Sequence, residues 1–122
     1  MRIGFTAFTY VEPDRARADR VFEAAMADYF GLLDRLTRLD GAAEADQQVY
    51  DRIPTTGRIT GDPAAVIERV AWVRDQFGIT DLINLTQFAG ALSHDQVLAS
   101  MRLFAEEVMP AFESAAVATP AS

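Results

Sequence analysis

From Ile3 to Val11 the chain carries apolar and β-favouring residues on both sides of an alternating pattern. Ile3, Phe5, Ala7, Thr9 and Val11 fall on one face, and Thr6, Phe8 and Tyr10 on the other. That is the pattern of a strand covered on two sides. Glu12-Pro13-Asp14 then opens a long helix, with proline suited to its first position and acidic residues to its positive end. Ala18, Phe22, Ala25, Tyr29, Leu32 and Leu36 recur at helical spacing, and Val21, Met26, Phe30, Leu33 and Leu39 widen the stripe. A helix this apolar has more to bury than a short chain covers easily, which points toward a partner subunit. Gly31 is placed to break or kink it.

Residues 40–46 read as a polar, small-residue loop and residues 47–53 as a short helical turn. Pro54-Thr55-Thr56-Gly57 reads as a turn, followed by a brief extended piece, Arg58-Ile59-Thr60. A second helix starts at Gly61-Asp62-Pro63, with Asp62 as N-cap and Pro63 in the first turn. Val66, Val70, Val73 and Phe77 form its core stripe, and Gly78 ends it in a left-handed cap. Ile79 to Thr86 reads as a second strand and residues 87–92 as a glycine-containing loop. Ser93 caps the last helix and Gln96 completes a capping box. Val97, Met101, Phe104, Val108 and Phe112 make its inward stripe, Pro110 kinks its end, and residues 113–122 form a flexible tail. Two strands separated by helices suggest parallel βα units, and two such strands need more neighbours.

Composition narrows the chemistry. With 122 residues the chain holds one modest core and falls far short of the roughly 250 residues of an eight-stranded α/β barrel. It has neither cysteine nor lysine, which excludes disulfides, thiolate metal sites, cysteine nucleophiles and Schiff bases. The net charge of −7 argues against phosphate-backbone binding, and the Arg15, Arg17, Arg20 cluster is diluted by Asp14 and Asp19. Met1 to Phe5 lacks a signal-peptide core, and no apolar run is long enough to span a membrane, so the expected location is the cytoplasm.

Three segments carry a resemblance. Gly61-Asp62-Pro63-Ala64-Ala65-Val66-Ile67-Glu68-Arg69-Val70 is similar to the helix start G-[DST]-P-x-x-V-x-[ED]-[RK]-[IV] of luciferase-like flavin monooxygenases. Phe77-Gly78-Ile79-Thr80-Asp81-Leu82-Ile83 resembles that family's entry into its last barrel strand. The stretch from Gly90 to Pro110 resembles its C-terminal helix, G-G-L-P-H-E-x-V-L-x-S-M-x-L-F-A-x-E-V-M-P, with Ala91 and Ser93 departing from the pattern. The resemblance implies an α/β chain: a partial (β/α) barrel-like unit over residues 1–112, with two parallel-type strands and three or more helices. The strands would match the family's seventh and eighth, and oligomerisation would complete the unit. The preceding six βα units, which supply most of the family's flavin and substrate pockets, have no counterpart here.

By the same resemblance the chain is a small or split monooxygenase component. It would use reduced flavin mononucleotide (FMN), or a deazaflavin, and for flavin also oxygen, on a small organic substrate. The alternative is a cofactor-free or non-catalytic binding and assembly protein, with no flavin bound. The partner is a second copy or a larger luciferase-like subunit, not nucleic acid or membrane. Barrel enzymes work at the carboxyl ends of their strands. That places Gln87, Phe88, Gly90 and Ser93 toward a cofactor, Tyr10 and Glu12 in a substrate pocket, and His94, the single histidine, as the acid or base. Each also has a plain structural reading: Ser93 as a helix cap, Tyr10 and Phe88 as core or rim aromatics, His94 as a surface residue. Trp72 reads as packing on a helix flank, and Glu106-Glu107 as a solvated face. No metal-ligand spacing, catalytic triad, P-loop or dinucleotide fingerprint is present.

Overall fold

A computed structural model of the chain describes residues 1–39, 57–87 and 90–117. The expected loop at 40–46, the helical turn at 47–53 and Phe88 lie outside the described residues. In chain order the elements are β1 (Gly4–Val11), α1 (Arg15–Leu39), β2 (Arg58–Gly61), α2 (Pro63–Phe77), β3 (Asp81–Leu85), α3 (His94–Leu103), a π-helical turn (Phe104–Val108) and α4 (Pro110–Val117).

The three strands are all parallel, and they form an open sheet in the order β2-β1-β3. The brief extended piece is therefore a third strand, which corrects the expected count of two. Arg58 to Gly61 contains one fully buried apolar side chain, Ile59, and is a strand because it pairs with Phe8 to Val11. The strands with the strong patterns, β1 and β3, are direct neighbours, with Gly4 to Phe8 registered on Asp81 to Leu85. The described residues close no barrel.

The alternation of β1 divides the core in two. Tyr10, with Phe8 beside it, packs on Ala18, Phe22, Ala25 and Met26 of α1 and on Leu92. Ala7 and Val11 pack in the other direction, on Ile59, on Val66 and Val70 of α2, and on Val108. The central strand is thus covered on both faces, as its pattern predicts.

Helix ends follow local chemistry, with three revisions. α1 begins at Arg15, two residues after Pro13. Asp14 supplies the cap, its carboxylate accepting from the Arg17 N–H at 3.2 Å. The same helix runs unbroken through the exposed Gly31. At α2 the Asp62 carboxylate accepts from Ala65 N–H, and Gly78 takes the left-handed conformation, both as expected. Phe77 and Met101, assigned inward, are 49% and 48% exposed. Phe77 closes the edge of the core, stacked on Phe5 and edge-on to Trp72. Trp72 meets residues of its own helix, with Arg69 over its ring.

Pro110 lacks an N–H and its ring crowds the carbonyl four residues back. The chain absorbs this as the π-helical turn, in which Met109 N–H donates to Phe104 O at 2.9 Å. Helix then resumes to Val117, where the sequence pattern reads as tail. No helix among the described residues is long and apolar enough to cross a membrane.

Candidate functional site

β1 leads into α1 on one face of the sheet, and its neighbour β2 leads into α2 on the other. Where adjacent strands send the chain to opposite faces, a crevice opens beyond their carboxyl ends, and open α/β sheets bind ligands there. Backbone hydrogen bonds fix this end of β1. Glu12 N–H donates to Gly61 O at 3.1 Å, and Val11 N–H donates to Oγ of the buried Ser100 at 2.9 Å. The first bond ties the strand end to β2 and the second ties it to α3.

Between these anchors lies a cavity of about 390 Å³. Its strand side is Tyr10, Val11 and Glu12, with Pro13 and Arg17 from the start of α1. Its helix side is Asp95, Gln96, Ala99, Arg102, Leu103 and Glu106. The volume lies within the range of small-molecule sites. Charges of both signs meet apolar side chains, which suits a ligand with an apolar part and a polar end.

Glu12 is the most informative residue of the cavity. Its Oε1 pairs with Arg17 Nε at 3.3 Å, while its Oε2 is buried without a hydrogen-bond partner. A buried carboxylate oxygen left unpaired costs about 1–3 kcal/mol or more, so it is a strong acceptor awaiting a donor. Beside it, the Tyr10 hydroxyl is pushed up to about 12, first by burial and then by the negative charge of Glu12, with Arg17 pulling the other way. Tyr10 is therefore a neutral donor across the physiological range, not a base.

That shift has a consequence for stability. An unfolded tyrosine ionises near pH 10. Between about pH 10 and 12 the folded chain retains a proton that the unfolded chain has lost. The contribution of Tyr10 is complete below pH 10 and disappears as pH rises through 12. In an absorbance titration, one of the three tyrosines is expected to ionise late, and Tyr10→Phe is expected to remove that late step. A wild-type titration with all tyrosines ionising together near pH 10 would contradict the assignment.

The structure brings together only part of the set expected from sequence. Tyr10 and Glu12 both line the cavity. Gln87 instead staples its own loop, its Nε2 donating to Leu92 O at 3.2 Å and its Oε1 accepting from Leu92 N–H at 3.4 Å. Gly90, at φ 81°, supplies the left-handed bend of that loop. Ser93 is engaged in the capping box, accepting from Gln96 N–H at 3.1 Å while its own N–H donates to Gln96 Oε1 at 2.9 Å. His94 is exposed at the first position of α3, beside Asp95 of the cavity wall but not itself in it. The sequence pattern marks Arg17 only as part of a diluted arginine cluster and does not single out Arg102. The available signal was the helical spacing of Asp95, Ala99, Arg102 and Glu106, which makes one polar face on α3 and the turn that follows. No group of three or more histidine, aspartate or glutamate residues among those described is placed to hold a metal ion.

No family model matches the chain, and no curated protein matches it. The fold is similar to that of the monooxygenase RslO1 from Streptomyces bottropensis, known from its crystal structure. The two share 22% sequence identity with a TM-score of 0.62, over 90% of this chain and 31% of that one. The likeness is one of fold, and this chain spans less than a third of the longer protein.

Proposed function

We propose that the chain is a luciferase-like monooxygenase component that acts with reduced flavin and oxygen on a small organic substrate. The observation that carries this reading is the buried, unpartnered Glu12 Oε2 in a small-molecule-sized cavity at the carboxyl end of the central strand. The fold shared with a monooxygenase supports it. The residues present suit FMN. Glu12 Oε2 would accept from an N–H on the edge of the flavin ring, Val11, Pro13, Ala99 and Leu103 would flank an apolar body, and Arg17 and Arg102 would meet the phosphate. When bound, the flavin supplies the redox chemistry that activates oxygen, and the chain supplies position and exclusion of water. Tyr10 holds its proton at the floor of the site. For a substrate reaching past Asp95, His94 is the nearby acid or base.

An open sheet with exposed Ile83 and Leu85 on β3 also supports assembly with a second copy or with a larger luciferase-like subunit. A second reading, a cofactor-free binding or assembly protein, is favoured by one observation. The polar groups of Gln87, Ser93 and Gln96, at the entry to the segment that resembles the family's C-terminal helix, are already engaged with one another and with their own loop.

Flavin fluorescence titrations of single variants separate the two readings. Arg17→Gln or Arg102→Gln is expected to weaken FMN binding about tenfold, the equivalent of one charge-assisted hydrogen bond. Arg102→Gln should leave riboflavin, which lacks the phosphate, unaffected, whereas Arg17→Gln also removes the partner of Glu12 Oε1 and should weaken riboflavin too. Glu12→Leu should weaken both ligands. Equal affinities across wild type and all three variants would remove the flavin site from this cavity.

A further inference from the structure

A second cavity, of about 460 Å³, lies on the α2 side of the sheet beside the outer edge of β3. It is separated from the Glu12 cavity by the π-helical turn: Leu103 and Glu106 face the first, Phe104 and Met109 the second. Apolar side chains make up most of its walls, with Val70, Ile79 and Leu82 on one side and Phe104, Met109 and Phe112 on the other, and five polar or charged residues also line it. A cavity lined in this way favours apolar ligands through the area it removes from water.

One of these polar residues, Asn84, is held by a hydrogen bond from the sheet. Thr9 is fully buried, and its hydroxyl donates to Asn84 Oδ1 at 2.8 Å, with Ala7 O farther off at 3.4 Å. A threonine hydroxyl has a single proton, and the shorter contact takes it. In this arrangement the Asn84 amide has its oxygen toward Thr9. Its nitrogen makes no hydrogen bond among the described residues and is left with two N–H donors for a cavity that Asn84 lines. The charged residues around the cavity are largely spoken for. Arg74 is paired with Asp75 at 3.1 Å and lies over the Phe112 ring, and Asp81 is bound by Arg2 and Thr80, which hold its carboxyl below the usual range. Glu113 adds negative charge nearby, which disfavours an anion.

A mostly apolar slot with one oriented amide donor, and with its one cation, Arg74, paired to Asp75, selects a particular chemistry. We propose that this cavity is a binding site for a neutral, largely hydrocarbon molecule bearing one carbonyl acceptor, a ketone, ester or lactone, held by Asn84. The site is independent of the flavin reading, since no residue of the Glu12 cavity takes part in it.

The test compares cyclooctanone with cyclooctane, which share a ring size and differ in the acceptor. Binding is followed in nitrogen–proton NMR spectra, through the side-chain amide pair of Asn84 in wild type and through the backbone amides of the cavity wall in both wild type and Asn84→Asp. The variant keeps an acceptor for Thr9 and removes the donor. Cyclooctanone is expected to shift the Asn84 amide pair, to bind wild type about tenfold more tightly than cyclooctane, and to lose that advantage in Asn84→Asp. FMN should not displace it. Equal affinity of the two probes for wild type, an unmoved Asn84 amide pair, or no binding by either probe would each overturn the proposal. So would loss of the cavity to self-association, read as a second copy covering Phe104 and Phe112.

Discussion

Phe22→Ala is expected to destabilise the chain by about 3–5 kcal/mol, the range for truncating a fully buried aromatic. Phe22 has no exposed surface, and it sits where α1, Tyr10 of β1 and Leu92 of the following loop meet. Only Tyr10 is a larger fully buried side chain, and close packing around Phe22 leaves its neighbours little freedom to collapse into the space. Domains of this size are stable by roughly 5–15 kcal/mol in total. The variant should therefore unfold at a much lower urea concentration, or be partly unfolded without urea. A loss below about 1 kcal/mol would mean that α1 does not pack on β1 through this residue.

Gly61→Val is the second large effect, and it links the fold to the site. Gly61 closes β2 at φ 138°, a conformation that L side chains rarely adopt, and a Cβ placed there would lie 2.9 Å from Ala65 Cβ. Backbone strain of about 1–3 kcal/mol adds to overpacking of similar size. The Gly61 carbonyl also receives the Glu12 N–H, so displacing it moves the residue that lines the cavity. Stability and FMN affinity are expected to fall together. Gly31→Ala is the matched control: Gly31 is exposed within α1, with nothing within 4 Å of an added Cβ. It should be stabilising by about 0.5–1 kcal/mol and leave ligand binding unchanged. Chemical denaturation with a parallel flavin titration reads both effects. A Gly61→Val chain as stable as wild type would contradict the strained end of β2.

Helix ends were the most legible feature of the sequence, because caps are local. Asp62, Gly78 and the Ser93–Gln96 box act within three or four residues of themselves, and all three stand in the structure as their pattern reads. The two-sided alternation of β1 likewise foretold cover on both faces. Features that depend on distant partners were harder to read. Arg58 to Gly61 is a strand only through its pairing with β1, and nothing in four residues with one buried apolar side chain announces the order β2-β1-β3. Phe77 and Met101 keep helical phase with their stripes but are largely exposed, and phase alone does not report where cover stops.

The candidate site divides in the same way. Tyr10 and Glu12 are legible as residues at a strand's carboxyl end, where α/β sheets bind ligands, a rule that needs only the strand, and both line the cavity. The opposite wall was sought in the loop after β3, yet Gln87 and Ser93 spend their polar groups on local backbone. The wall is formed instead by one face of α3, and Ser100 brings that helix to the strand end by accepting the Val11 N–H. A hydrogen bond between residues so far apart in sequence leaves no periodic trace. Arg17 and Arg102, from opposite parts of the chain, become a pair of cations only through that contact.

The most direct test of the flavin reading is gel filtration of the wild-type chain equilibrated with FMN, with protein and flavin absorbance and flavin fluorescence followed together. The account predicts that FMN comigrates with the protein at one flavin per chain, its fluorescence altered by the walls of the Glu12 cavity. FMN that elutes entirely free, with unchanged fluorescence and at protein concentrations well above micromolar, would contradict it.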